Sequence, residues 1–350
     1  MPNQALTGAK KNKNDEFYTQ LADIEREINA YLAFDPDVFR DKTVLLPCDD
    51  PKWSNFTRYF AQNFERLGLK KLVSTGYAVE RKRELGLLPG FGPEEPQDER
   101  LTHGTIFTID GDTNGNGVID LDDLVGSPME GDGDFRSDEV RRLRDEADVI
   151  VTNPPFSLFR EFVAWIMEAK KEFLIIGNLN AISYKEVFPL FVANQMWMGE
   201  SIHSGDREFG VPDHYPLEAA GFRVDAEGRK FIRVKGVRWF TNLDYERRHQ
   251  RMQLMTWAEN VKFSHHKDLK GVGYRRYDDF DAIDVPHTDA IPGDYGGVMG
   301  VPVTFLDKYN PEQFEILGLD RYYEGNPHYG RRFTIDGRET YARILIRRKG

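Results

Sequence analysis

Asp148-Val149-Ile150-Val151-Thr152-Asn153-Pro154-Pro155-Phe156 is the stretch on which the reading of this chain turns. Val149 to Thr152, rich in β-branched side chains, reads as a buried strand. Two consecutive prolines then end any ladder, because they lack N–H groups and fix φ. An amide side chain stands just before them and an aromatic ring just after. Ser157 is placed to cap a helix on which Phe159, Phe162, Val163, Ile166 and Met167 share one face. An Asn-Pro-Pro-Phe loop therefore sits at the carboxyl end of a strand, where open α/β sheets place their ligands.

The flanks extend the same pattern. Residues 1–14 read as a flexible basic tail, and Leu21 to Leu32 as a helix with Leu21, Ile24, Ile28, Tyr31 and Leu32 on one face. Val44-Leu45-Leu46 is a short strand that runs into Pro47-Cys48-Asp49-Asp50-Pro51. Ser54 then caps a helix carrying Phe56, Tyr59, Phe60, Phe64 and Leu67, with Gly68 at its C-terminal end. A second strand starts at Leu72. Strand, acidic turn, helix, strand is the opening of a doubly wound sheet. Residues 80–133 read as an insertion, within which Thr105 to Ile109 alternates like a strand, and Ser137 caps the helix before the central strand. Downstream the pattern predicts a strand at Phe173 to Ile176, a helix over Tyr184 to Val192, a short strand near Trp197, and a hairpin from Phe231 to Phe240 turning at Lys235-Gly236. Periodicity weakens after Asp244. The expectation is an α/β fold with a doubly wound, mostly parallel sheet over 15–244 and a less regular part over 245–350.

At 350 residues the chain can bury a large core, and 40% apolar with 13% aromatic content excludes a disordered protein. Its apolar runs are too short to span a bilayer, and the lysine-rich N-terminus lacks the apolar core of a signal peptide. A single cysteine, Cys48, excludes an internal disulfide framework and fits a reducing cytoplasm. No cysteine/histidine cluster has zinc spacing. The net charge is −11, but it is unevenly spread. Gly90 to Asp148 holds 17 acidic and 5 basic residues, whereas Arg229 to Arg276 holds 13 basic and 4 acidic. A local basic face is what meets a phosphate backbone, so the second stretch matters more than the total.

The central loop has a definite chemistry. An exocyclic amino group on a nucleobase is a poor nucleophile, because its lone pair is delocalised into the ring. Two rigid, neutral acceptors that take its two N–H bonds localise electron density on nitrogen. The side-chain oxygen of Asn153 and the carbonyl of Pro154 are such a pair, with the proline ring fixing their geometry. Phe156 offers a flat face to an extruded base. A strand-ending turn without chemistry is the alternative for a bare Asn-Pro-Pro; the preceding strand, Phe156 and the following helix argue for the site.

With these residues in view, the chain resembles the EcoRI-type adenine-specific DNA methyltransferases, amino-group methyltransferases that use S-adenosylmethionine. The matching pieces are Asp15-Glu16-Phe17-Tyr18-Thr19-Gln20, Cys48-Asp49-Asp50-Pro51, Gly131 to Ser137, Val151 to Arg160, Trp239 to Asp244 and Gly296 to Pro302. The resemblance implies a Rossmann-like methyltransferase domain, direct transfer of a methyl group to the N6 amine of a flipped adenine, and double-stranded DNA as partner. It implies that Phe17, Tyr18 and Thr19 close over the cofactor. Asp49 would accept bonds from the cofactor's amino group, with Cys48 beside it as a small buried residue, and Asp134, next to Phe135, would meet the cofactor's adenine. Asp49 and Asp50 also suit a helix cap. Two departures stand out: the first turn lacks the usual glycines, and the second strand ends Ser74-Thr75-Gly76-Tyr77 without an acid for the ribose.

Two further stretches carry candidate sites. Asp112 to Asp123 aligns with a twelve-residue EF-hand loop: Asp112, Asn114, Asn116, Val118, Asp120 and Asp123 fall at ligand positions, and Gly117 at the sixth. A structural calcium ion and a solvated Asn/Gly-rich turn both account for that spacing. In the basic stretch, Arg247, Arg248, Arg251, Arg275 and Arg276 are the candidate DNA contacts, interleaved with Tyr245, Trp257 and Tyr274. The resemblance implies either the modification enzyme of a restriction system, with a cognate restriction endonuclease as functional partner, or an orphan enzyme without one. The competing readings are an RNA adenine or protein-glutamine methyltransferase, and a non-catalytic DNA-binding module on the same fold.

Overall fold

A computed structural model describes residues 18–78, 102–211 and 221–349. The basic tail, Phe17, and the insertion residues from 80 to 101 lie outside the described residues. The chain packs as two units, one of Met1–Leu179 with Gly199–Leu243 and one of Asn180–Met198 with Asp244–Gly350.

The strands of the first unit are β1 (Thr43–Leu46), β2 (Lys71–Gly76), β3 (Thr105–Ile109), β4 (Val125–Pro128), β5 (Val149–Thr152), β6 (Glu172–Asn178), β7 (Asp206–Val211), β8 (Arg223–Val224), β9 (Lys230–Lys235) and β10 (Val237–Thr241). Among the described residues its helices are α1 (Leu21–Phe34), α2 (Asn55–Gln62), α3 (Asp138–Glu146) and α4 (Phe159–Glu168), with a further single-turn helix at Phe64–Leu67 after α2. Seven strands lie side by side in the order β4-β3-β2-β1-β5-β6-β10. The centre is parallel: β1 pairs with β2 and β5, and β5 with β6. Both flanks are antiparallel, β3 on β2, β4 on β3 and β10 on β6. The sheet is thus mixed where a mostly parallel one was expected. The parallel pairs are joined through helices, as parallel crossovers require, while β3 and β4, from the insertion, extend the sheet by antiparallel pairing.

Val44, Leu45, Leu46, Val149, Ile150 and Val151 are fully buried, as strands covered on both faces should be. Each such side chain contributes roughly 1.5–3 kcal/mol, an upper bound when the unfolded chain is already compact. Against this sheet, Phe135, Phe162 and Trp165 form one aromatic group, with centroids 5.0–5.7 Å apart. Phe159 packs on Phe240 at 5.1 Å, which Gly177 permits: a Cβ there would lie 2.4 Å from the Phe159 ring. On α1, Ile24, Ile28 and Tyr31 are buried with Glu27. The Glu27 carboxylate accepts bonds from Tyr31 Oη (2.6 Å) and from the Glu200 and Ser201 amides (2.8 and 2.7 Å), which fixes the chain as it re-enters this unit. Burial raises its pKa.

Three local expectations change. The segments Lys230–Lys235 and Val237–Thr241 do not pair as a hairpin: β9 pairs with β7 and β8, and β10 with β6. Gly236, at φ +71°, turns the chain from one sheet into the other. Ser157 does not cap α4, because Phe156–Leu158 forms a 3-10 turn and the helix starts at Phe159. The helix expected from Tyr184 shortens to α5 (Phe188–Val192), which carries Pro189 in its first turn, a position that suits proline.

The second unit carries α5, α6 (Trp257–Phe263), short strands at Trp197–Met198, Thr334–Ile335 and Arg338–Glu339, and five further strands: β11 (Arg275–Arg276), β12 (Ala282–Asp284), β13 (Val298–Pro302), β14 (Phe314–Leu319) and β15 (Arg343–Arg348). These five form a sheet in the order β11-β12-β13-β15-β14. The Gly296-to-Pro302 motif proves structural at Gly300, where a Cβ would lie 2.1 Å from Tyr277 Oη. That hydroxyl donates to Asp284 Oδ1 (2.9 Å), which also accepts from Arg343 Nε (2.7 Å). Among the described residues no helix is long and apolar enough to cross a membrane.

Candidate active site

From β1 the chain moves to β2 on one side of the sheet, while from β5 it moves to β6 on the other. The order therefore reverses between β1 and β5, and crevices at such a reversal are where α/β sheets bind ligands. Asp49 follows β1 and Asn153 follows β5.

Asp49 ties this crevice together. It is 5% exposed, and its two carboxylate oxygens accept from Ser54 Oγ (2.6 Å) and Thr152 Oγ1 (2.5 Å). Its amide donates to the Thr75 carbonyl (3.1 Å), and its own carbonyl accepts from Thr57 Oγ1 (2.8 Å) and from Ser74 Oγ. Ser54 in turn accepts from the Phe56 and Thr57 amides and caps α2. One residue thereby links β1, β2, α2 and the last residue of the strand that presents Asn153. Burial pushes the Asp49 carboxyl up to about 6, against the smaller opposing effect of the two hydroxyls. Asp50 has a different task, since its side chain and carbonyl accept from the Lys52, Trp53 and Ser54 amides and form the turn.

Tyr18 and Thr19 lie against this turn. Tyr18 exchanges main-chain bonds with Gly210 (2.8 and 3.0 Å), and its ring stacks on Trp53 with centroids 6.2 Å apart. The Thr19 carbonyl accepts from Asn55 Nδ2 (2.7 Å). Two hydroxyls here, Thr19 Oγ1 and Thr75 Oγ1, are buried and have no hydrogen-bond partner among the described residues. An unmade bond of that kind costs about 1–3 kcal/mol, so the crevice suits a polar ligand such as S-adenosylmethionine. Gly131-Asp132-Gly133 is stitched to the end of β2 by the Ala78 amide on the Asp132 carbonyl (2.9 Å). Gly133, at φ +81°, comes so close that a Cβ would lie 2.8 Å from the Gly76 carbonyl oxygen.

The remaining candidates divide. Asn153 is half-buried and Pro154 buried at the end of β5, while the Phe156 ring is only 6% exposed and presents little face to a base. Asp134 is held by Arg136 through both oxygens (2.9 and 2.6 Å), and that carboxylate raises the guanidinium pKa still further. Phe135 is buried in the aromatic group. Cys48 was expected to be buried and is exposed, because Pro47 and Asp49 point inward on either side of it.

Arg248 was expected to face DNA and does not: its side chain is 6% exposed, lies 3.6 Å over the Trp197 ring and pairs with Asp244 (3.5 Å) and Asn194. Arg251 is exposed and Arg247 half-buried. Arg275 and Arg276 are exposed, in surface pairs with Asp336 (3.4 Å) and Asp281 (2.7 Å). In the 112–123 loop, Asp112 accepts from the Gly115 and Gly117 amides (2.6 and 2.8 Å), and Asn114 and Asn116 each accept from the amide two residues on. Val118 is exposed. Asp123 is fully buried and accepts from the Thr113, Asn114 and Asp120 amides, while Asp120 caps the following turn.

Sequence reading missed Thr152, Ser74, Trp53 and the bond from Ser54 to Asp49, roles that depend on partners up to 103 residues away. Only Ser54 carried a local sign, as a cap.

The chain matches the family model described as adenine-specific methyltransferase EcoRI over residues 5–349. It is 42% identical over 347 residues to the type II methyltransferase M.EcoRI of Escherichia coli, covering 99% of this chain and 97% of that protein. It is 33% identical over 355 residues to the type II methyltransferase M.MpnI of Mycoplasma pneumoniae, covering 97% of each. No solved structure matches it. The crevice between β1 and β5, its Asn-Pro-Pro-Phe loop and these full-length matches agree: the chain belongs to the EcoRI-type family of adenine-specific methyltransferases.

Proposed function

We propose that this chain methylates the N6 amine of an adenine extruded from duplex DNA, with the chemistry at Asn153 and Pro154. The carrying observation is the intact loop at the sheet's reversal point, braced by the Thr152–Asp49 bond. The Asn153 side-chain oxygen and the Pro154 carbonyl accept the two N–H bonds of the amine and hold its lone pair toward the acceptor carbon. S-adenosylmethionine, when bound, supplies the electrophilic methyl group. Tyr18, Thr19, Asp49 and Thr75 hold it, and Asp134 takes part with the Arg136 pair loosened. Phe156 stacks on the base once DNA uncovers its ring. Arg247, Arg251, Arg275 and Arg276 meet phosphates.

The reading extends to a cytoplasmic modification enzyme whose cognate restriction endonuclease is encoded nearby and does not bind it stably. It also extends to calcium at Asp112–Asp123, supported by oxygen side chains at EF-hand spacing and by Gly115 and Gly117 at positive φ. Calcium should raise the melting temperature of chelator-stripped protein; an identical melt with and without the ion rejects it.

Expression in a methylation-free host, followed by single-molecule sequencing of its DNA, tests the main reading. One methylated adenine motif is expected. Folded, cofactor-binding protein that leaves every adenine unmodified refutes it.

A further inference from the structure

A second group of side chains stands in the other unit and has no part in the reading above. His265 and His266 follow α6, and Asp289 sits on the 3-10 turn Thr288–Ala290. One ligand atom from each lies within 4.8 Å of the other two. His266 Nε2 is 2.9 Å from Asp289 Oδ1, and His265 Nε2 is 3.8 Å from Asp289 Oδ2. Donor atoms around a tetrahedral ion bound at about 2.0–2.1 Å are themselves about 3.3 Å apart. The two separations straddle that value, so small side-chain adjustments bring both within bonding range of one ion.

The group is also built. His266 has only 19% of its side chain exposed, and its ring stacks on His287, with centroids 3.5 Å apart and planes at 5°. His287 is itself fixed by Asp268, whose two oxygens are each 3.0 Å from Nε2. The His266 amide donates to Ser264 Oγ (3.1 Å). His265, 77% exposed, lies on the open side. Spacing along the chain concealed this set, because the carboxylate comes 23 residues after His266.

We propose that His265, His266 and Asp289 bind one divalent transition-metal ion, with the remaining position open to water. Two imidazoles and one carboxylate are borderline donors, suited to zinc, cobalt, nickel or copper and poorly matched to calcium or magnesium. The ion clasps the segment after α6 to the 288–290 turn. Because imidazole must be neutral to ligate, affinity falls with acidification.

The test is calorimetric titration of zinc chloride alone into the full-length, chelator-stripped chain, with cobalt absorption as a second measurement. Wild type should bind one zinc ion with this dependence, and cobalt should give visible bands of a tetrahedral site. His266→Ala and Asp289→Asn should weaken binding at least about tenfold, and His265→Gln, at an exposed position, should do the same with the fold intact. His103→Ala, in the other unit, should leave it unchanged. No saturable zinc binding to wild type, or unchanged affinity in His265→Gln, overturns the proposal; a bare imidazole–carboxylate pair predicts that outcome.

Discussion

Asp49→Asn is the substitution that most directly tests the crevice. The wild-type carboxyl is 5% exposed, is bonded among the described residues to two neutral hydroxyls, and is pushed by burial up to about 6 in place of 3.8. A raised carboxyl pKa means the folded state binds the proton more tightly than the unfolded one. Its stabilising effect is therefore complete below about pH 3.8 and is lost as pH rises through about 6. A shift of about two units corresponds to roughly 3 kcal/mol. Asparagine keeps one acceptor and has no proton to exchange, so it removes this dependence. Urea unfolding of wild type and variant at a series of pH values gives the difference, in which all other titrations cancel. The stability of wild type relative to the variant should fall by about 2–3 kcal/mol between pH 4 and pH 8, most steeply near pH 5–6. A difference that is flat or rises with pH would show that Asp49 is not a buried, uncompensated carboxyl, and would refute its role as the brace between β1 and β5.

Other outcomes follow from single side chains. Asn153→Ala should cut methyl transfer by about a hundredfold or more while cofactor affinity, read by calorimetry, stays within about threefold; equal loss of both would make Asn153 structural. Arg248→Ala removes a buried cation over Trp197 and should cost about 1–3 kcal/mol in urea unfolding. Arg275→Ala combined with Arg276→Ala should leave stability nearly unchanged, since exposed pairs contribute about 0–1 kcal/mol. In the same double variant the salt dependence of DNA binding, measured by fluorescence anisotropy, should become shallower, its slope falling by about one for each phosphate no longer neutralised.

The central strand, its loop and the β1–α2–β2 opening were legible because their signals are local: apolar runs, prolines and a serine cap. What was not legible depends on partners far away. Lys235-Gly236 reads as a hairpin turn, yet whether two strands pair is decided by which sheet has a free edge, and β10 is taken by β6. Arg248 reads as a surface charge in a basic run; Trp197 and Asp244 bury it. Asp49 stands out in the sequence as an acid in the turn after β1, but its bond to Thr152 does not, because nothing in either segment marks the other. The Trp239-to-Asp244 motif likewise proves to be a clasp: Asn242 accepts from the Phe173 amide (2.7 Å) and donates to the Lys171 carbonyl (3.0 Å).

The interleaving of the two units has a consequence for synthesis. Asn180–Met198 leaves the ribosome before Gly199–Leu243, which completes the unit already begun. Yet α5, with Phe188 and Phe191 buried, packs on β14, at Phe314–Leu319. At about 5–20 residues per second, those two rings wait roughly 6–25 seconds for their strand. During that interval a nascent chain with an otherwise finished sheet carries an apolar turn in search of cover, the kind of segment that chaperones hold.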